Sequence, residues 1–148
     1  MVGYVARLPP TLRTDLEERP VATIRHHVRI ETPADEVWEI VSDPAGISEW
    51  ADGIDACTFD GTARTITAMG TEIVEEIVTN DDELRRLQYS ITEGPLPVEH
   101  HIATIDVIED GDTALLVYSC DVRPDELKEF MDGLLGNLAN QIKAAAEK

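Results

Sequence analysis

Between residues 54 and 122 the chain reads as six consecutive runs that alternate apolar and polar residues with a period of two. The runs fall near 54–60, 63–69, 71–79, 84–93, 98–108 and 113–122. Only short turn signals separate them: DGT at 60–62, MG at 69–70, NDD at 80–82, GPLP at 94–97 and EDGD at 109–112. Connections this short cannot carry a crossover, so neighbouring strands must run antiparallel. A seventh run, ATIRHHVRIE at 22–31, comes first and puts Ile24, His26, Val28 and Ile30 on one face. A sheet of seven antiparallel strands needs one face covered.

One element is large enough to cover it. From Pro124 and Asp125 to about residue 146, Leu127, Phe130, Met131, Leu134, Leu135, Leu138 and Ile142 recur at helical spacing and form one broad apolar face. Two shorter helices are expected after the first strand. In TPADEVWEIVSD, Thr32 is placed to cap, Pro33 suits the first helical position, and Asp35 and Glu36 favour the positive helix end. DPAGISEW repeats the start signal, and ADG at 51–53 ends that helix. A helix is about 10–12 Å wide. It cannot fill the concave face of a curved seven-stranded sheet, and apolar space left between them is a ligand pocket by default.

The 148 residues suit one domain, expected over 21–148, with residues 1–20 as a proline-punctuated N-terminal arm. Lys and Arg number 12 against 30 Asp and Glu, a net charge of −18 with no local basic patch. Nucleic acid and acidic lipid surfaces are therefore poor partners. No apolar run is long enough for an integral membrane helix, and the start of the chain has no secretory pattern. Cys57 and Cys120 stand in strand-like runs with no redox or metal spacing, as small core residues of a reducing, cytoplasmic protein. There is no glycine-rich phosphate loop and no GxSxG elbow, so no cofactor is expected. Monomer and homodimer both fit.

Four histidines come as two doublets, His26–His27 and His100–His101, the latter after GPLP and Glu99. Neighbours on a strand point to opposite faces, so neither doublet can grip one ion. A shared site would span two strand spacings, roughly 9–10 Å, without an evident third ligand, and no metal is expected. On the strand near 98–108, His101, Ala103, Ile105 and Val107 form the more apolar face and are assigned inward. His101 then stands at the pocket mouth, touching either a ligand or only water, and titrating near neutral pH.

The order of elements, with VRIETPADEVWEIVSDPAGISEW, resembles the START-like (SRPBCC, helix-grip) superfamily, in its polyketide cyclase/dehydrase and lipid-transport branch. The matching residues are Val28, Ile30, Pro33, Val37, Trp38, Asp43, Pro44 and Trp50, and the resemblance spans about residues 22–147. It implies an α+β helix-grip fold: a curved seven-stranded antiparallel sheet wrapped around a long C-terminal helix, with two short helices after the first strand. It also implies that Gly94, Pro95, Leu96 and Pro97 turn the chain at the pocket mouth. Aromatase/cyclase members of the superfamily rely on a pocket arginine and tyrosines. Here Arg64 lies near a turn and Arg85 and Arg86 open a strand, so none matches an interior arginine.

By the same resemblance Tyr118 and Tyr89 face inward, where a ligand or the core itself must satisfy their hydroxyls. The expected ligand contacts are Trp50, Tyr89, His101, Tyr118, Cys120, Phe130 and Leu134. The weaker candidates for catalysis are His101, Tyr118 and Tyr89, with Glu93 or Glu99 as a partner for His101. Gly133 and Gly136 leave room on the long helix for a ligand or for close packing. The function expected first is binding or carriage of a mainly hydrophobic small molecule, such as a lipid, isoprenoid or aromatic polyketide. An enzyme of cyclase/dehydratase type using the same cavity comes second, and a co-chaperone-like interaction module third.

Overall fold

This computed structural model describes residues 20–148, so the expected arm falls outside the described residues except for Pro20. The elements are β1 (Ala22–Ile30), α1 (Ala34–Val41), a 3-10 turn (Pro44–Gly46), α2 (Ile47–Trp50), β2 (Ala56–Phe59), β3 (Ala63–Ala68), β4 (Thr71–Asp81), β5 (Arg86–Glu93), β6 (His100–Asp110), β7 (Thr113–Arg123), a second 3-10 turn (Asp125–Leu127) and α3 (Lys128–Ala146). All seven strands join one antiparallel sheet in the order β1-β7-β6-β5-β4-β3-β2. Only the β1–β7 neighbourhood is non-sequential, and the two short helices sit in the connection after β1. This is the helix-grip architecture.

Burial follows the period of two. On β6, His101, Ala103, Ile105 and Val107 are buried, and on β7 so are Ala114, Leu116, Tyr118, Cys120 and Val122. Against this face lies α3, which buries Met131, Leu135, Leu138, Ala139 and Ile142. That stripe is narrower than the sequence suggests. Each helical residue advances 100° around the axis, so Phe130 and Leu134 stand one step off the line of Met131, Leu135, Leu138 and Ile142. Phe130 is 53% exposed. The first turn before α3 is 3-10, which delays the α-helix from the expected start at 124 to Lys128.

Thr32 does not cap α1. Pro33 takes the cap position and its carbonyl accepts the amides of Glu36 and Val37, while the Thr32 hydroxyl donates to the Ala146 carbonyl at 2.9 Å and fastens the far end of α3. The near half of α3 is fastened by His26. Its Nε2 lies 3.0 Å from the Asp132 carbonyl oxygen and 2.8 Å from Asp132 Oδ1. A side chain at Gly136 would put its Cβ 3.2 Å from the His26 ring, so this glycine serves close packing of helix on strand. Gly133 faces open space. Cys57 and Cys120 are free thiols.

Candidate functional site

The β3–β4 hairpin turns at Met69–Gly70 and sets Arg64 opposite Glu75. Both are buried on the concave face, which corrects the expectation that no arginine is interior. Arg64 stands two residues beyond the DGT turn at 60–62, but already within β3, where the alternation puts it on the same buried face as Ile66. Arg64 Nε donates to Glu75 Oε1 at 2.8 Å, and Nη2 lies 2.8 Å from the same oxygen. Nη1 donates to the Pro44 carbonyl at 3.0 Å, so the Asp43–Pro44 step that shapes the helix connection also holds the guanidinium. The Tyr89 ring lies 4.7 Å from the Arg64 guanidinium carbon, in cation–π range. The other two arginines face outward: Arg85 pairs with Asp35 and Arg86 with Asp106.

These contacts set the electrostatics. Burial pushes the Glu75 carboxyl above its ordinary range, against the pull of Arg64. Burial disfavours the Arg64 charge, but Glu75 and the two tyrosines outweigh it and hold the guanidinium more firmly protonated than usual. Glu75 Oε2 has no hydrogen-bond partner among the described residues.

Further along the sheet the backbone ladder between β5 and β6 stops at Tyr89–Ala103. The next inward amide, of Ile91, still needs an acceptor. His101 supplies it: Nδ1 accepts the Ile91 N–H at 3.0 Å, and the His101 carbonyl accepts the Ser90 hydroxyl. An accepting Nδ1 fixes the neutral ring as the Nε2–H tautomer. Nε2 has no partner among the described residues. His101 is 4% exposed, and burial pulls its pKa down to about 4, with His100 adding to the effect. It is thus an interior hydrogen-bond donor rather than a titrating residue at the mouth. His100 is exposed on the opposite face.

A cavity of about 260 Å³ lies between α3 and the strands β3 to β6, and Ile66, Glu75, Tyr89, His101, Leu134 and Leu138 are among its walls. Its exposed lining residues, Asp52, Gly53, Met69 and Leu134, mark the opening between α2, the β3–β4 turn and α3. The Gly94–Pro97 turn is not among the lining residues. Gly94, Pro95 and Leu96 enclose, with the cavity-wall residues Ile73 and Ile91, a void of about 10 Å³, scarcely room for one water.

Of the residues expected to meet a ligand, Tyr89, His101 and Leu134 line the cavity. Tyr118 and Cys120 lie behind its wall in the packed core. The Tyr118 hydroxyl is satisfied by the Tyr89 hydroxyl in a short hydrogen bond, so no ligand is needed for it. Burial raises both phenols well above their ordinary pKa and pushes the Cys120 thiol up to about 12. Phe130 is turned to the outside by the helix phase. Trp50 lines a separate outer groove of about 280 Å³ with Glu39, Glu49 and Lys148, where the carboxylates are exposed. Glu93 and Glu99 are exposed. The two histidine doublets are further apart than strand spacing alone implies: His101 pairs with Val122, and Val122 with Ala22, four residues from His26. No group of three metal-ligating side chains occurs among the described residues.

Among the solved structures the chain is similar to a putative uncharacterised protein from Bacillus thuringiensis, with TM-score 0.79 and 21% identity, covering 86% of this chain and 100% of that one. It is similar to a START superfamily protein from Mycobacterium smegmatis, with TM-score 0.72 and 16% identity over 84% and 97% of the two chains. Norcoclaurine synthase from Thalictrum flavum, solved in complex with dopamine and hydroxybenzaldehyde, matches with TM-score 0.69 and 22% identity over 89% and 90%. At these identities the likeness is one of fold. No curated protein matches the chain. The model of the family described as polyketide cyclase / dehydrase and lipid transport matches residues 21–148. The chain, with its helix-grip sheet and C-terminal helix, therefore belongs to the polyketide cyclase / dehydrase and lipid transport family.

Proposed function

We propose that the protein binds a compact, mainly apolar small molecule in the cavity between α3 and the sheet, as a cytoplasmic binding or carrier protein. One observation carries this reading. The cavity of about 260 Å³ has isoleucine, leucine and methionine walls, yet two polar groups in them, Glu75 Oε2 and His101 Nε2–H, have no hydrogen-bond partner among the described residues. An apolar pocket with a few convergent polar groups is the usual form of a ligand site. The volume lies just below the usual range of about 300–1,000 Å³, which favours one or two fused rings over a long acyl chain.

The test is a titration with N-phenyl-1-naphthylamine, a neutral dye that brightens in apolar surroundings. Saturable binding to the wild type and its loss in Leu134→Trp, which fills the mouth from a half-exposed position, are expected. Absence of binding, or binding unchanged in Leu134→Trp, sinks the proposal.

An enzymatic reading gains one observation, the interior Arg64 beside Tyr89 and Glu75. In that reading Glu75, as the base, and His101, as a neutral donor, would act on the bound molecule.

A further inference from the structure

We infer that the cavity selects neutral ligands that carry a hydroxyl group and rejects carboxylates; this deepens the binding reading above and rests on it. The selection follows from which polar edges reach the cavity. The charged side chains in its lining are Glu75 in the wall and Asp52 at the mouth, and both are acidic. No lysine or arginine is among the lining residues. The nearby cation, Arg64, is turned away, with Nε and Nη2 on Glu75 Oε1 and Nη1 on the Pro44 carbonyl. A carboxylate entering the cavity would leave water, meet Glu75 Oε2 and find no cation at the wall, a burial that costs a charge heavily.

A hydroxyl meets the opposite situation. It can donate to Glu75 Oε2, and a ligand oxygen can accept from His101 Nε2–H. The acceptor and donor are held in place before any ligand arrives. Arg64 fixes one carboxylate oxygen, and the Ile91 amide fixes the imidazole from its Nδ1 side. A hydroxyl also suits the charge state of the site better than an ammonium does. The Arg64–Glu75 pair is already neutral as a unit, so a further buried cation would be uncompensated. A hydrogen bond to a charged acceptor corresponds to roughly ten- to hundredfold in affinity.

The experiment is displacement of N-phenyl-1-naphthylamine from wild-type protein by four probes of one shape: 2-naphthol, 2-methoxynaphthalene, naphthalene-2-carboxylate and 2-naphthylmethylammonium. We expect 2-naphthol to displace the dye at roughly tenfold or lower concentration than 2-methoxynaphthalene, which keeps an acceptor but has no donor. Little displacement is expected from the carboxylate, and the ammonium should fall behind 2-naphthol. Equal potency of naphthol and its methyl ether overturns the inference, as does a carboxylate or ammonium that matches naphthol. Failure of all four probes while the dye still binds overturns this inference alone. Failure of the dye itself overturns the binding reading with it. In the double variant Arg64→Met/Glu75→Leu the preference for naphthol over its methyl ether should collapse to under about threefold; if it persists there, Glu75 is not its source. Should the double variant not fold, the wild-type series still decides.

Discussion

Arg64 and Glu75 stand directly opposite each other on β3 and β4, and Arg64 Nε donates to Glu75 Oε1 at 2.8 Å within the concave face. Both side chains are almost wholly withdrawn from solvent, at 3% and 9% exposure. Removing one partner strands the other as a buried charge, whereas replacing both with apolar residues removes both desolvation penalties. Arg64→Met or Glu75→Leu alone should cost about 3–5 kcal/mol, and the double variant much less than their sum. Urea unfolding of the three variants measures this. A single variant within about 1 kcal/mol of wild type would show that the partner charge is hydrated after all.

That pair also shows how far the sequence could be read. The order of strands and helices, the antiparallel pairing and the inward face of β6 follow from period and turn length, which are local properties, whereas the inward face of β7, apolar on both sides at Leu115–Val117, follows from the resemblance. The Arg64–Glu75 pair was equally legible, because the two residues are equidistant from Met69–Gly70 and each shares its face with isoleucines. The signal lies in pairing across the Met69–Gly70 turn and not in the distance of any one arginine from a turn. The role of His101 was not legible. It depends on where the β5–β6 ladder ends, and that is decided by packing between strands rather than by either strand's own pattern. The exposure of Phe130 depends on where the buried stripe of α3 is centred, which packing against the sheet decides, and a shift of one residue moves a side chain from core to surface. Trp50 was placed in the pocket by resemblance alone, and α2 is too short to carry a periodic signal that would place it.

Met69 occupies a backbone position that disfavours it. The two-residue turn has positive φ at both residues, 52° at Met69 and 76° at Gly70, the geometry that Asn-Gly satisfies best. A left-handed residue other than Gly, Asn or Asp costs about 1–2 kcal/mol. Met69 is 92% exposed, so core packing does not repay that cost, while its side chain borders the cavity opening. Met69→Asn should raise stability by about 0.5–1 kcal/mol and weaken binding of the neutral dye severalfold. Thermal melts and the dye titration check both halves. A lower melting temperature would contradict the strain argument, and undiminished affinity would remove Met69 from the site.

The hydroxyls of Tyr89 and Tyr118 share one hydrogen bond in the core, so neither should be replaced alone without loss. Tyr118→Phe leaves the Tyr89 hydroxyl buried without its partner, at a cost of about 1–3 kcal/mol. With both residues changed to phenylalanine no polar atom is stranded, and the double variant should be more stable than the sum of the single losses allows. A double-mutant cycle by chemical denaturation gives the coupling directly. A coupling energy near zero would mean that the two hydroxyls find other partners, and would reopen a ligand role for Tyr118.

His101 should stay neutral across the physiological range. Its Nδ1 accepts the Ile91 amide, so protonation of the ring must break that bond as well as place a charge in the core. The folded-state pKa, about 4, lies below the ordinary value of 6.5. As pH falls through that window the unfolded chain takes up a proton that the folded chain refuses, so stability falls as pH drops from about 6.5 towards about 4. The full effect of this one group is about 3 kcal/mol, complete only below the folded-state value. Acidic residues titrate over part of the same range, so the ring itself is the better reporter. Nitrogen-15 NMR of the imidazole should show the Nε2–H tautomer from pH about 8 down to about 5, with no titration step near neutrality. A midpoint near 6.5, or the Nδ1–H tautomer, would return His101 to the solvent and take the donor out of the cavity.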